Sequence, residues 1–194
     1  LSTELIWIYG LSAIFWIFAI PLYLKQSLKV TKPWVWMLIG WILLLPTCLA
    51  LYQLRSISPL LLLGLMATIW ISDTAAYFTG RSLGKHKLAP QISPNKTWEG
   101  VAGALAAVLI YGLLWDFWSE EQSLAPVLVP LLIMMAILGI IGDLYESFVK
   151  RQANVKDSGN ILPGHGGILD RIDALTSALP FAILAILVFY SPAI

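Results

Sequence analysis

Charge is what this sequence has least of: 12% of its 194 residues are Asp, Glu, Lys or Arg, whereas 59% are hydrophobic. A soluble domain ordinarily carries about 25% charged residues. Half that share leaves too little polar surface to cover a water-soluble globule, so a membrane class is indicated before any motif is read. Cysteine is also nearly absent. Cys48 stands alone in an apolar run, so it can form no intrachain disulfide, and no metal-ligand spacing surrounds it. There is no internal repeat, no low-complexity tract and no stretch polar enough to form a separate soluble domain. The net charge of +1 says little by itself, and no nucleic-acid partner is expected.

Long apolar runs fill the space that charge leaves. A hydrocarbon core of ~30 Å needs about 20 apolar residues of helix. Six stretches meet or approach that length, at 5–24, 34–54, 60–78, 101–118, 126–149 and 168–190. The expected fold is therefore all-α, a polytopic bundle of about six transmembrane helices. Nine Trp and seven Tyr suit the class, because amphipathic rings collect at membrane interfaces. Pro46 and Pro130 fall inside spans, where neighbouring helices can satisfy the freed carbonyls. The chain opens on Leu1, and its first apolar stretch lacks a basic leader and a small-residue cleavage site. That stretch reads as a span rather than a secretory signal. We divide the chain into N-terminal helices at 1–60, expected to be truncated, and a catalytic membrane region at 61–194 with two polar loops on one face.

Six spans place the loops alternately on two sides. One side receives Lys25, Lys29, Lys32, Arg81, Lys85, Lys87, Lys96, Lys150, Arg151, Lys156 and Arg171, which is 11 of the 12 basic residues. The other receives Arg55 with Glu4, Asp116, Glu120 and Glu121. By the positive-inside rule the first side is cytoplasmic.

The remaining acids gather at that same side. Asp73 lies late in span three, Asp143 and Glu146 late in span five, and Asp170 and Asp173 open span six. Ionisable residues in apolar helices are costly and mark function by default. Asp143 and Glu146 are three residues apart, as are Asp170 and Asp173, so each pair shares a helix face. Carboxylates facing one another need a cation between them, and oxygen ligands without His or Cys suit a hard ion such as Mg²⁺. The plainer alternative is that the acids pair with Lys150, Arg151 and Arg171.

Two basic loops frame the acids. The first, 80–100, holds Arg81, Lys85, Lys87 and Lys96 against a single acid, Glu99. Ser93-Pro94 reads as a helix N-cap followed by proline at the first helical position. Lys96 and Thr97 would then lie in a first turn, where anions bind readily. The second loop, 150–167, carries Lys150, Arg151 and Lys156, and ends in Pro163-Gly164-His165-Gly166-Gly167. Glycines there let backbone N–H groups approach a phosphate. Lys25, Lys29 and Lys32 read more simply as contacts to anionic headgroups. On the residues alone, this is a metal-and-phosphate site at the inner leaflet, suited to phosphoryl or nucleotidyl transfer involving a lipid.

The stretch 147–173, with Lys150-Arg151, Lys156-Asp157, Pro163-Gly164-His165-Gly166-Gly167 and Asp170-Arg171-Ile172-Asp173, resembles the signature of the phosphatidate cytidylyltransferases. A second polar block, Ser72-Asp73 through Gly80-Arg81 and Ser93-Pro94-Asn95-Lys96-Thr97 to Glu99-Gly100, resembles that family's other polar region. The resemblance spans about 69–175. It implies that CTP and phosphatidic acid react to give CDP-diacylglycerol and pyrophosphate, with Mg²⁺ required and a second, monovalent cation an open question. It implies Asp143, Asp170 and Asp173 as metal ligands, and Lys150, Arg151, Lys156, His165 and Arg171 as catalytic groups. Arg81, Lys96, Asp73, Ser93, Gly166 and Gly167 are implied in substrate binding. It also implies a homodimer, the lipid bilayer as a partner, and a plasma (inner) membrane location with the site facing the cytoplasm. Two alternative readings of the same residues are a CTP-dependent polyprenol or phytol kinase, which would release CDP, and a membrane transporter.

Overall fold

A chain segment in hydrocarbon must satisfy its backbone polar groups internally, so long apolar runs become helices. In the computed structural model, which describes residues 5–26, 30, 32–119, 124–159, 161 and 166–190, six helices do so. They are α1 (Ile6–Gln26), α2 (Pro33–Ile57), α3 (Pro59–Leu83), α4 (Trp98–Trp118), α5 (Ala125–Gln152) and α6 (Leu169–Tyr190). The chain is a polytopic helical bundle. Each helix is at least as long as a bilayer core requires. Helix α3 outruns its apolar stretch by five residues, because backbone hydrogen bonding continues where hydropathy stops. Helix α1 contains a π-helical turn at Phe15–Ala19.

One expectation fails. Ser93-Pro94 does not start a helix. Ser93–Thr97 forms a strand, β2, paired antiparallel with β1 (Lys87–Ala89). The cap of α4 is Thr97, whose Oγ1 accepts the Gly100 N–H at 3.1 Å. The residue before a proline is biased to extended backbone, and here a partner strand is available to pair it. The same dipeptide at Ser58-Pro59 does open a helix, with Ser58 Oγ accepting the Leu61 N–H at 3.2 Å. The chemistry of the cap is identical. What differs is the sequence after it, an apolar helical run in one case and Asn95-Lys96-Thr97 in the other.

The bundle is apolar outside as well as inside. Trp7, Leu60 and Phe117 are 77–80% exposed, which suits a lipid-facing surface. The main core joins Tyr9 of α1, Ala50 and Leu54 of α2, and Leu65 of α3 to Leu179 and Ile183 of α6. Residues on both sides of position 60 thus share one packed interior. Several buried hydroxyls are satisfied by carbonyls or side chains, whereas Ser12 Oγ and Tyr145 Oη have no hydrogen-bond partner among the described residues. Tyr9 Oη donates to Gln53 Oε1 at 3.1 Å, and Tyr111 Oη to the Gly64 carbonyl at 3.0 Å. Ser177 Oγ lies 2.8 and 2.9 Å from the Leu138 and Ala174 carbonyls.

The pairing of α5 with α6 depends on Gly142. A Cβ there would come within 2.7 Å of Ser177 Oγ and 2.8 Å of the Asp173 carbonyl. The absent side chain lets α5 carry Asp143 against the start of α6. Gly142→Val should force the helices apart and cost about 1–3 kcal/mol, the usual range for overpacking. Thermal unfolding in detergent checks this, and an unchanged midpoint would contradict the close-approach reading.

Candidate active site

Helices α3 and α5 end, and α4 and α6 begin, at the basic end of the bundle, with the β1–β2 hairpin among them. Between them lies a cavity of about 340 Å³. Asp73, Asp143, Asp170 and Asp173 all line it, together with Tyr77, Asn95, Lys96 and Thr97. The four aspartates expected from sequence to act together therefore face one space. They come from three helices.

Two lysines reach into this acid cluster. Lys96 Nζ, on β2, lies 2.6 Å from Asp143 Oδ2. Lys150 Nζ, on α5, lies 2.5 Å from Glu146 Oε2 and 2.6 Å from Asp170 Oδ1. Glu146 is buried at 6% exposure. Its contact with Lys150 is at ion-pair distance without the alignment of a hydrogen bond, and Glu146 Oε1 has no hydrogen-bond donor among the described residues.

Asp170 does more than pair with Lys150. Its Oδ2 accepts the Ser158 N–H at 2.9 Å, the Ser158 hydroxyl at 2.8 Å and the Gly167 N–H at 2.7 Å. One carboxylate thereby gathers both described ends of the second polar loop. Its position in the first turn of α6 is electrostatically favourable, because the helix N-terminus carries partial positive charge. Gly166 has φ of 79°, a left-handed conformation that glycine adopts without strain. On the hairpin side, Glu99 accepts the Lys85 N–H at 3.1 Å and lies 2.6 Å from His86 Nδ1, which fastens 85–86 to the start of α4.

The other expected residues are placed differently. Arg81 is exposed and donates to Tyr77 Oη at 2.8 Å, one residue back from the cavity. Arg151 and Lys156 are exposed and do not line the cavity, and Arg151 lines a separate one. Arg171 is exposed at the opening of α6. Ser93 pairs in register with Ala89 at the hairpin end and does not line the cavity. His165 lies outside the described residues, as do Pro163 and Gly164. Sequence reasoning grouped Glu146 with Asp143, but the structure joins it to Lys150. The four-residue spacing of Glu146 and Lys150 on one helix was the available signal. Tyr77 and Asn95 line the cavity without having been assigned a role.

The donor set bears on a bound ion. Every acidic group at the cavity is a carboxylate, which is the chemistry of a hard cation. Among the described residues no three acidic, imidazole or thiol groups converge closely enough to share one ion. The Lys96 and Lys150 ammonium groups lie against the acids instead.

The profile of the cytidylyltransferase family matches residues 3–189, and the chain belongs to that family. Among relatives, a phosphatidate cytidylyltransferase of Pseudomonas aeruginosa is 42% identical over 144 residues, covering 73% of this chain and 53% of the relative. One of Bacillus subtilis is 46% identical over 121 residues, covering 62% of this chain and 45% of the relative. One of Brucella suis is 49% identical over 129 residues, covering 66% and 47%. The chain thus matches about half the length of these curated relatives.

Removing the Asp170 carboxylate should release the second loop. In Asp170→Ala, three loop donors and Lys150 lose their acceptor. Hydrogen bonds to a charged group contribute about 1.5–3 kcal/mol each. Limited proteolysis should then cut the 157–167 region at least ten-fold faster than in the parent, with the helices intact by circular dichroism. Unchanged cleavage would show that Asp170 does not hold the loop.

Proposed function

We propose that this chain carries the reaction centre of a phosphatidate cytidylyltransferase, an integral membrane nucleotidyltransferase. A phosphate oxygen of phosphatidic acid attacks the α-phosphorus of CTP. The new O–P bond forms as the bond to the β-phosphate oxygen breaks, and CDP-diacylglycerol and pyrophosphate result. The observation that carries the proposal is the cavity in which four aspartates from three helices meet Lys96, with Lys150 on Asp170, at the membrane-boundary end of the bundle. Family membership agrees with it.

Each group has a part. Lys96 and Lys150 hold phosphate oxygens, since both substrates are anions and each ammonium retains donors beyond those its carboxylates use. Asp170 keeps the glycine-rich segment in place by accepting the Gly167 N–H, which leaves the Gly166 backbone for the phosphates, and His165 orients the triphosphate or the leaving pyrophosphate. Lys156 and Arg171 supply further positive charge at the rim, and Arg81 and Ser93 border the entry. Asp73 orients Lys96. No general base is required, because phosphatidate is ionised at neutral pH. Asp143, Asp170 and Asp173 would hold Mg²⁺ once Lys96 and Lys150 turn to the phosphates and the carboxylates draw closer than they lie here, and the ion would neutralise charge developing on the transferring phosphate. A monovalent cation beside it, a homodimer, and a plasma-membrane location with the site on the cytoplasmic face complete the reading.

The test is the purified chain in detergent with phosphatidic acid, Mg²⁺ and CTP labelled at the α-phosphate. Label should pass into a lipid-extractable product as pyrophosphate is released, and Lys150→Met should lower kcat/KM by roughly 100-fold or more. Label that stays in water-soluble CDP while a lipid alcohol is phosphorylated would replace this reading with a lipid kinase. Asp170→Asn with parental turnover at limiting Mg²⁺ would remove Asp170 from the metal set.

A further inference from the structure

A second cavity, of about 830 Å³, opens at the same end of the bundle. It is bounded by the C-terminal ends of α1 and α5 and by the turn of the hairpin. Lys25 comes from α1, Gln91 from the turn, and Arg151, Gln152 and Asn154 from the end of α5. None of the four cavity aspartates described above lines it, and no acidic residue does so among the described residues.

Lys25 and Arg151 are the informative pair. Among the described residues neither side chain has an ion pair or hydrogen-bond partner. A single cation in the last turn of a helix is explained by the C-terminal carbonyls. Two unpaired cations from different helices facing one space add up to a positive potential there that favours an anion. Gln91 and Asn154 add amide N–H donors, while Gln152 already donates to Tyr23 Oη at 3.4 Å. Leu24, Val30, Ile92 and Phe148 form an apolar wall beside this polar set. Cations, amides and an apolar wall together fit an amphiphile with an anionic head.

We propose that this cavity holds the phosphate group of an anionic phospholipid, in a place separate from the lipid that reacts. The cavity lies where two membrane spans end, at the depth of the headgroups, and on the face that gathers the basic residues. Its volume exceeds what a free phosphate needs, and the apolar wall gives the glycerol and first acyl carbons a surface that a free ion would not use. The hairpin and α5 stand between this cavity and the carboxylates, with Leu88 and Asn95 facing one space and Gln91 and Ile92 the other.

The experiment uses the purified chain equilibrated with vesicles of phosphatidylcholine alone or mixed with phosphatidylglycerol. Phosphatidylglycerol is anionic but has no terminal phosphate with which to attack CTP. Native mass spectrometry then counts the lipid retained. The parent chain should keep phosphatidylglycerol in preference to phosphatidylcholine. Lys25→Glu should reduce that retention five-fold or more, in line with the usual attraction of one basic residue for an anionic membrane. Lys25→Arg should restore it, and Lys32→Glu, on the same face but outside the cavity, should leave it unchanged. Equal retention by the parent and a normally folded Lys25→Glu would overturn the proposal, as would an equal loss in Lys32→Glu, which would mean general surface attraction. Displacement of phosphatidylglycerol by soluble glycerol 3-phosphate or CTP would assign the cavity to a soluble phosphate ester, and the lipid assignment would fall.

Discussion

The ammonium of Lys150, 2.5 Å from Glu146 and 2.6 Å from Asp170, ties the end of α5 to the beginning of α6. The rest of the site hangs on that tie. Asp170 passes the constraint to Ser158 and Gly167, and so to the glycine-rich loop between the two helices. Glu146 anchors the other end in the buried face of α5. A pair of this kind adds little net stability, because desolvation offsets most of the attraction. Breaking it is another matter. Loss of one partner leaves an uncompensated charge in an apolar setting, at about 3–5 kcal/mol. The arrangement therefore fixes geometry more than it stabilises the fold, and geometry is what a site built from three helices and a hairpin needs.

The bilayer sets the terms for everything else. A helical bundle with an apolar exterior has no hydrophobic drive to exclude lipid from between its helices, so close packing and hydrogen bonds to carbonyls must hold it together. Gly142 and Ser177 supply both where α5 meets α6. That contact lies next to Asp143 and Asp173 in sequence, so the tightest packing in this pair of helices stands directly beneath the acids. On the opposite face, Asp116 accepts the Ala125 N–H at 2.7 Å and closes the turn into α5. Polar chemistry is thus kept to the two ends, and the span between them remains apolar.

Hydropathy made the six spans readable, and the one-sided distribution of basic residues agreed with their number. The grouping of the four aspartates was readable too, because a charge inside an apolar helix has few harmless explanations. The pairing of charges was not. Nothing in the spacing of residues on one helix says which lysine from another element will reach them, and Lys96 met Asp143 only through a hairpin that the sequence disguised. Ser93-Pro94 carried an honest capping signal, and Ser58-Pro59 shows that the signal is sound where a helical run follows. At 93 the competing strand partner decided the outcome. The place of Arg151 was hidden for a related reason. It adjoins Lys150 in sequence, but neighbours on a helix are about 100° apart, so Lys150 reaches Asp170 while Arg151 lines the second cavity.

The balance of charge at the carboxylate cavity bears on the proposed chemistry. Asp73, Asp143, Glu146, Asp170 and Asp173 stand against the ammonium groups of Lys96 and Lys150. Such a centre has more negative charge than positive, yet its proposed substrates are a nucleoside triphosphate and a phosphomonoester, both strongly anionic. Lysines already engaged by carboxylates cannot offset both substrates and acids at once. Carboxylates are useful at such a place if cations accompany the phosphates, since an acid that repels a bare triphosphate attracts its metal complex. The excess of carboxyl over ammonium groups agrees with the proposal that Mg²⁺ accompanies the phosphates. It also gives the two lysines a second task. In the arrangement described here they lie against Asp143 and Asp170, and so limit the mutual repulsion of acids held in a low-dielectric setting.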